Sequence, residues 1–212
     1  MISAISYCKS VAEKCRIKAI DPVLMCQVCY VFPLFSRRSA LGAFLSEKLG
    51  VPLHEGDHFH PQGNIKKMAR GEPLTDQDRF PWLLKLHEVI ERERGSGCEA
   101  FVSCSALKRL YRQILLHGSK ALDSSNSPDG EVPPPSPPHV LFLFLHGDYD
   151  LLQQRVAARR GHYMKADLLR SQFAVLEPPS DEENVLPLDL SRSISDLATE
   201  VQEHIIRLKS SI

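Results

Sequence analysis

"YVFPLFSRRSALGAFLSEKLGVPLHEGDHFHP", Tyr30 to Pro61, carries the reading on which the fold turns. Leu41, Phe44, Leu45 and Leu49 recur at the spacing of one helical face, and Gly50 follows where a left-handed C-terminal cap would fall. A helix from about Ser39 to Leu49 is predicted. "VPLHEGD" then reads as a short strand with two carboxylates, Glu55 and Asp57, at its end.

Outward from this pair, strands and helices keep alternating. Upstream, "VLMCQVCYVF", Val23 to Phe32, is apolar and β-prone enough to supply a first strand. Downstream, "PQGNIKKMARG" is a short basic helix. "DQDRFPWLLKLHEVIERERG" is a longer one, acidic at its start and basic at its finish, with Pro81 tolerable only in a first turn. "CEAFVSC" is a buried strand, and "SALKRLYRQILLHG" a helix for which Ser105 is the expected cap. "HVLFLFLHGD" is continuously hydrophobic, as strands covered on both faces are, and is the best candidate for a central strand. "YDLLQQRVAARRG", "KADLLRSQFAVLE" and "SISDLATEVQEHIIRLKSS" are helices, with a short strand, "NVLPLDL", before the last. Strands separated by helices imply right-handed crossovers. The predicted fold is therefore α/β, a three-layer parallel sheet with helices on both faces.

At 212 residues with 26 basic and 26 acidic side chains, the chain suits one such domain, and its neutrality argues against bulk attraction to nucleic acid or an anionic membrane. Residues 1–22 read as an irregular extension and 23–212 as the domain. Ser119 to Pro138, rich in Ser and Pro, is read as a surface insertion. The longest apolar run, Val23 to Phe35, is shorter than a bilayer span and contains Gln27 and Pro33. Six scattered cysteines in a chain too large to need disulfide staples suggest a reducing cytosol, hence a cytoplasmic protein. The pair Cys26 and Cys29 lacks a second pair at zinc spacing, and His54, His58 and His60 lack a cysteine or fourth ligand at a diagnostic one.

Ligands of open α/β sheets gather at the carboxyl ends of the strands, and three polar clusters fall there. They are Glu55, Asp57, His58 and His60; Ser105, Lys108 and Arg112; and Arg155, Arg159, Arg160 and His162. Cationic clusters facing a carboxylate pair are what phosphoryl transfer to a hydroxyl requires. Taken alone, Lys108 and Arg112 read as a solvated helix face, and Trp82 beside Pro81 as core.

Together the blocks "EGDHFHPQGNIKKMARGEPLTDQDRFPWL", "SCSALKRLYRQIL" and "RRGHYMKADLLRSQFAVLEPP" resemble the signatures of the gluconokinase family, from about Ser39 to the C-terminus. These are small P-loop kinases, related in architecture to shikimate kinase, that phosphorylate the 6-hydroxyl of D-gluconate with ATP and Mg2+. The resemblance implies a P-loop-kinase-like sheet with a helical lid, "GHYMKADLLRSQF", and often a homodimer. It implies that Asp57 holds the acceptor hydroxyl and takes its proton, and that Glu55 stands near magnesium. His60, Arg79, Lys108 and Arg112 would face the sugar acid, Gln172 would touch it from the lid, and Arg155 and Arg159 would serve the nucleotide and the transferred phosphoryl group.

One departure stands out. The family places G-x-x-G-x-G-K-[ST] before the first helix, and the register that fits this chain puts Arg38 at the lysine, Ser39 at the magnesium-side hydroxyl, and Phe35 and Arg37 at glycines. A phosphate nest needs inward backbone N–H groups and residues that leave room for oxygen, which Phe and Arg do not. Loss of three charge-assisted hydrogen bonds at roughly 1.5 to 3 kcal/mol each lowers turnover about a thousandfold to a millionfold. The alternative reading is thus a noncatalytic or severely impaired form that keeps a sugar-acid pocket or a dimer surface.

Overall fold

In the computed structural model, the described residues are 27–31, 38–124, 140–157, 166–179 and 184–210. Within them five strands pair entirely in parallel: β1 (Gln27–Val31), β2 (Leu53–Glu55), β3 (Phe101–Cys104), β4 (Val140–His146) and β5 (Val185–Asp189). Their order is β2-β3-β1-β4-β5. The apolar segment read as a first strand does enter the sheet, at its centre, with Val28 opposite Phe101 on one side and Leu141 on the other.

The connecting helices are α1 (Arg38–Leu49), α2 (Gln62–Ala69), α3 (Asp76–Gly95), α4 (Arg109–His117), α5 (Lys120–Ser124), α6 (Tyr149–Ala157), α7 (Ala166–Ala174) and α8 (Ile194–Ser210). Side chains alternate across each strand, so β4 feeds two cores at once. Leu141, Leu143 and Leu145 pack with Leu41 and Leu45 of α1 and with Leu197, Val201 and Ile205 of α8. Val140 and Phe142 pack with Trp82, Leu86 and Ile90 of α3 and with Tyr111, Ile114 and Leu115 of α4. Helices thus cover both faces, and β4 is buried from Val140 to Leu145, as its unbroken apolar run predicts.

Two local expectations fail. Pro81 is the sixth residue of α3, beyond its first turn. Its missing N–H leaves the Gln77 carbonyl without a helical partner, but Gln77 is exposed and water can serve it. The penalty, about 3 kcal/mol, is outweighed by burying Trp82, Leu83, Leu86, Val89 and Ile90, at roughly 1.5 to 3 kcal/mol each. A reciprocal cap fixes the helix start: Thr75 N–H donates to Asp78 Oδ2 (2.8 Å), and Thr75 Oγ1 accepts from Asp78 N–H (3.3 Å).

Ser105 does not cap α4. That helix begins at Arg109, with Lys108 at the N-cap position and no side-chain cap bond. The delay comes from Ala106 and Leu107, both drawn into the core, and from a tight turn in which Ser105 O accepts from Leu107 N (3.0 Å). Within the stretch read as a surface insertion, 120–124 are helical and Ala121 is buried. Residues 125–139 lie outside the described residues, as do 1–26 and 32–37.

Candidate active site

In this sheet order β1 lies between β3 and β4, so the chain's direction across the sheet reverses there, and open α/β sheets bind ligands beyond the carboxyl ends at such a point. Among the described segments on that side are the turn after β2, the Ser105–Lys108 loop after β3, and the start of α1, where Ser39 is exposed.

The turn after β2 is pinned by backbone packing. Gly56 lies so close to β3 that a Cβ on it would sit 2.3 Å from the Ser103 carbonyl oxygen, so only glycine fits. From the other side, buried Trp82 donates its Nε1–H to Gly56 O at 2.7 Å. His60 stacks on the Trp82 ring, centroids 4.3 Å apart and planes inclined by 15°, with Asn64 Nδ2 3.4 Å from His60 Nδ1. Asn64 also donates to Asp78 O at 2.7 Å, tying α2 to α3. Trp82 is therefore core, as read, and a platform for His60 as well. On this fixed turn Asp57 and His58 are exposed, and Glu55 ends β2 directly before it.

On the loop after β3, Lys108 Nζ donates to both Asp76 carboxylate oxygens, at 2.9 and 2.8 Å, and Tyr111 OH donates to Asp76 Oδ1 at 2.6 Å. The Arg79 guanidinium stands 5.9 Å from the Tyr111 ring centre and Lys108 Nζ 5.6 Å. Hydrogen bonds from Lys108 and then Tyr111 hold the Asp76 carboxyl below its usual range. Burial first, and the bond to Asp76 second, push the Tyr111 phenol well up.

Arg112 corrects the reading of a solvated helix face: it is 1% exposed and donates from Nη1 to Glu177 O at 2.8 Å. Glu177 is itself fastened to the β3–α4 connection, its N–H donating to Leu107 O (2.8 Å) and its Oε2 accepting from Arg109 N–H (2.6 Å). The segment after α7 is thus held against the start of α4. On α7, Gln172 is 7% exposed and its Oε1 has no hydrogen-bond partner among the described residues.

The structure brings Arg79, Lys108 and Arg112 onto neighbouring parts of α3 and α4, and sets Glu55, Asp57 and His60 on one turn. Arg38 opens α1 and Arg155 lies in α6, but their side chains fall outside the description, and Arg159 lies beyond the described residues altogether. Sequence reading missed Asp76, Tyr111 and Glu177. The T-x-x-D pattern of Thr75 and Asp78 marks a helix start and so puts Asp76 in the first turn. Nothing in the sequence pairs Glu177 with Arg112, because that contact joins residues 65 positions apart.

Mg2+ takes hard oxygen ligands, commonly one or two from protein with the rest from phosphate and water. Ser39 and Glu55 offer such oxygens. A Cβ on Gly42 would lie 3.2 Å from Leu53, so α1 runs against β2. Ser39, one turn before Gly42, and Glu55, two residues past Leu53, both lie toward the carboxyl end of the sheet. In chemistry and in the side of the sheet they occupy, the two oxygens are of the kind Mg2+ takes. Among the described residues no three His, Cys, Asp or Glu side chains form a metal-binding group.

A five-stranded parallel sheet of this order with helices on both faces defines a P-loop-kinase-like α/β protein. No protein-family profile matches the chain. It is 38% identical over 168 residues to a probable gluconokinase of Rattus norvegicus, covering 79% of this chain and 91% of that one. It is 33% identical over 177 residues to the thermosensitive gluconokinase of Escherichia coli K12, covering 83% and 85%. The crystal structure of a gluconokinase from Sinorhizobium meliloti 1021 superposes with a TM-score of 0.69 at 34% identity, covering 87% of this chain and 94% of that one. The chain belongs to the gluconokinase family.

Proposed function

We propose that the chain transfers the γ-phosphoryl group of ATP to the 6-hydroxyl of D-gluconate, giving 6-phospho-D-gluconate and ADP. The observation that carries this reading is the turn after β2: Gly56, locked between Ser103 and Trp82, is followed by the exposed Asp57 at the carboxyl end of the sheet, on the same turn that leads to His60. Asp57 takes the proton of the acceptor hydroxyl as its oxygen attacks the γ-phosphorus. The bond from that phosphorus to the bridging oxygen breaks, and ADP leaves with the electron pair.

His60, Arg79, Lys108, Arg112 and Gln172 form the acceptor side. Arg38, Ser39 and Arg155 form the nucleotide side, with Arg159 stabilising charge on the transferred group. Mg2+, held by Ser39 and Glu55, would neutralise phosphate charge. Family membership supports ATP as the donor. Among the described residues no helix is long and apolar enough to cross a membrane. From the family resemblance we place the protein in the cytoplasm, as a homodimer. The comparisons do not favour the alternative of a noncatalytic form.

The test is gluconate-dependent ADP release by the purified chain, alongside Asp57→Asn. The variant is expected to lose about 10²- to 10⁴-fold in kcat while calorimetry still detects gluconate. Full turnover by Asp57→Asn removes the base role. No gluconate-dependent release, either by the native chain or by one with a glycine-rich loop restored, sinks the proposed reaction.

A further inference from the structure

Lys108 is not an unneutralised cation waiting for a substrate anion. Both oxygens of Asp76 already face its ammonium group, and Tyr111 OH holds one of them in place. Arg79 differs: it makes no ion pair among the described residues, and its guanidinium stands over the Tyr111 ring. Arg79, Lys108 and Asp76 together keep one net positive charge, and the adjoining Arg112 and Glu177 cancel each other, so the group matches one carboxylate on a ligand. That charge resides on Arg79, because an anion placed against Lys108 would also meet Asp76, and the repulsion would offset the attraction.

Counting donors and acceptors shows what the Lys108–Asp76 pair offers instead. An ammonium has three N–H groups, and two are directed at Asp76. A carboxylate has roughly four lone-pair sites, of which Lys108 takes two and Tyr111 one. One donor and one acceptor remain, side by side at a half-buried position. Such a pair is matched by a hydroxyl, which accepts and donates at once, and not by a carboxylate, which only accepts.

We propose that Asp76 is a specificity-determining residue of the acceptor site: by neutralising Lys108 it makes that pair a reader of substrate hydroxyls, and it leaves Arg79 to take the carboxylate of the sugar acid. This rests on the gluconate reading above and divides the labour within it. A site that reads hydroxyls through paired polar groups rejects a misplaced hydroxyl because its own groups, half-buried here and covered by the bound ligand, then lose a partner.

The experiment measures Kd by calorimetry, without nucleotide, for D-gluconate, for D-glucitol, which replaces the carboxylate by CH2OH, and for the epimers D-galactonate and D-mannonate. Arg79→Gln is expected to shrink the gluconate-to-glucitol preference about tenfold or more and to leave the epimer preference unchanged. Asp76→Asn and Lys108→Met are each expected to shrink the epimer preference by a similar factor and to leave the gluconate-to-glucitol preference intact. A merely structural role for Asp76 would weaken all ligands alike. The proposal is overturned if Lys108→Met, and not Arg79→Gln, abolishes the charge preference, or if Asp76→Asn leaves the epimer preference untouched. Wild-type protein that bound gluconate and glucitol equally would overturn the gluconate reading itself, and this division of labour with it.

Discussion

Gly56 and Ser103 meet backbone to backbone: the space where a Cβ would stand on the glycine lies 2.3 Å from the serine's carbonyl oxygen. Neither partner can retreat cheaply, because the contact is with main chain of β3, itself paired to β1 and β2. Gly56→Ala must therefore push the turn away from the sheet. Overpacking of this kind costs about 1 to 3 kcal/mol, and the displaced residue is the neighbour of Asp57. We expect thermal unfolding several degrees lower together with a fall in kcat larger than the loss of folded protein explains. An unchanged Tm would mean that the turn has slack the close approach denies.

Trp82 holds the same turn from the opposite side, and its hydrogen bond can be deleted while an aromatic ring is kept. Trp82→Phe keeps a ring in the core for His60 to stack on but deletes the Nε1–H that Gly56 O accepts. A buried carbonyl left without its donor costs about 1 to 3 kcal/mol, added to the volume lost from a fully buried site. Urea titration should show a lower midpoint with the slope unchanged, and equal midpoints for the two proteins would contradict the bond's importance.

These two residues also show how far the sequence could be read. Alternation of apolar runs with helical faces was enough for the parallel sheet, since period and run length are local properties of the chain. It placed Val23–Phe32 as a strand, and Gln27–Val31 takes the centre of the sheet. Long-range pairings stayed hidden. Arg112 looks like any surface arginine until Glu177 O is found against it, and Lys108 looks like a free cation until Asp76, 32 positions earlier, is found to hold it. Boundaries failed where packing overrode local preference, as at Ser105, whose capping chemistry lost to the burial of Ala106 and Leu107.

The start of α3 should make stability depend on acid. Lys67 Nζ donates to Asp78 Oδ2 at 2.6 Å, and Thr75 donates to the same carboxylate from its backbone, so the Asp78 carboxyl is held down at about 2. Asp76 is shifted in the same direction by Lys108 and Tyr111. With folded values below the unfolded ones, the unfolded chain binds more protons in between, and stability rises with pH there. The contribution is fully present above the ordinary carboxylate range and is lost as pH falls from about 4 toward 2. Denaturant midpoints across that range should fall less steeply for Asp78→Asn than for the native chain, and identical slopes would count against the cap's role.

The strongest prediction concerns Phe35, Arg37 and Arg38, at two of the glycines and the lysine of the expected phosphate loop. By the sequence reading, an anion at the head of α1 needs inward N–H groups in a close-fitting nest and a compact ammonium, whereas the chain carries Phe and Arg at 35 and 37 and a guanidinium at 38; residues 32–37 lie outside the described residues. Phe35→Gly, Arg37→Gly and Arg38→Lys together should therefore raise kcat/KM for ATP by about a thousandfold or more, since each recovered charge-assisted bond contributes roughly 1.5 to 3 kcal/mol. Gluconate affinity should be unchanged, because the acceptor groups Asp57, His60, Arg79 and Lys108 sit on the turn after β2 and on the α3 and α4 elements. Equal ATP parameters before and after the triple substitution would show that the native loop already binds triphosphate by another arrangement of its backbone.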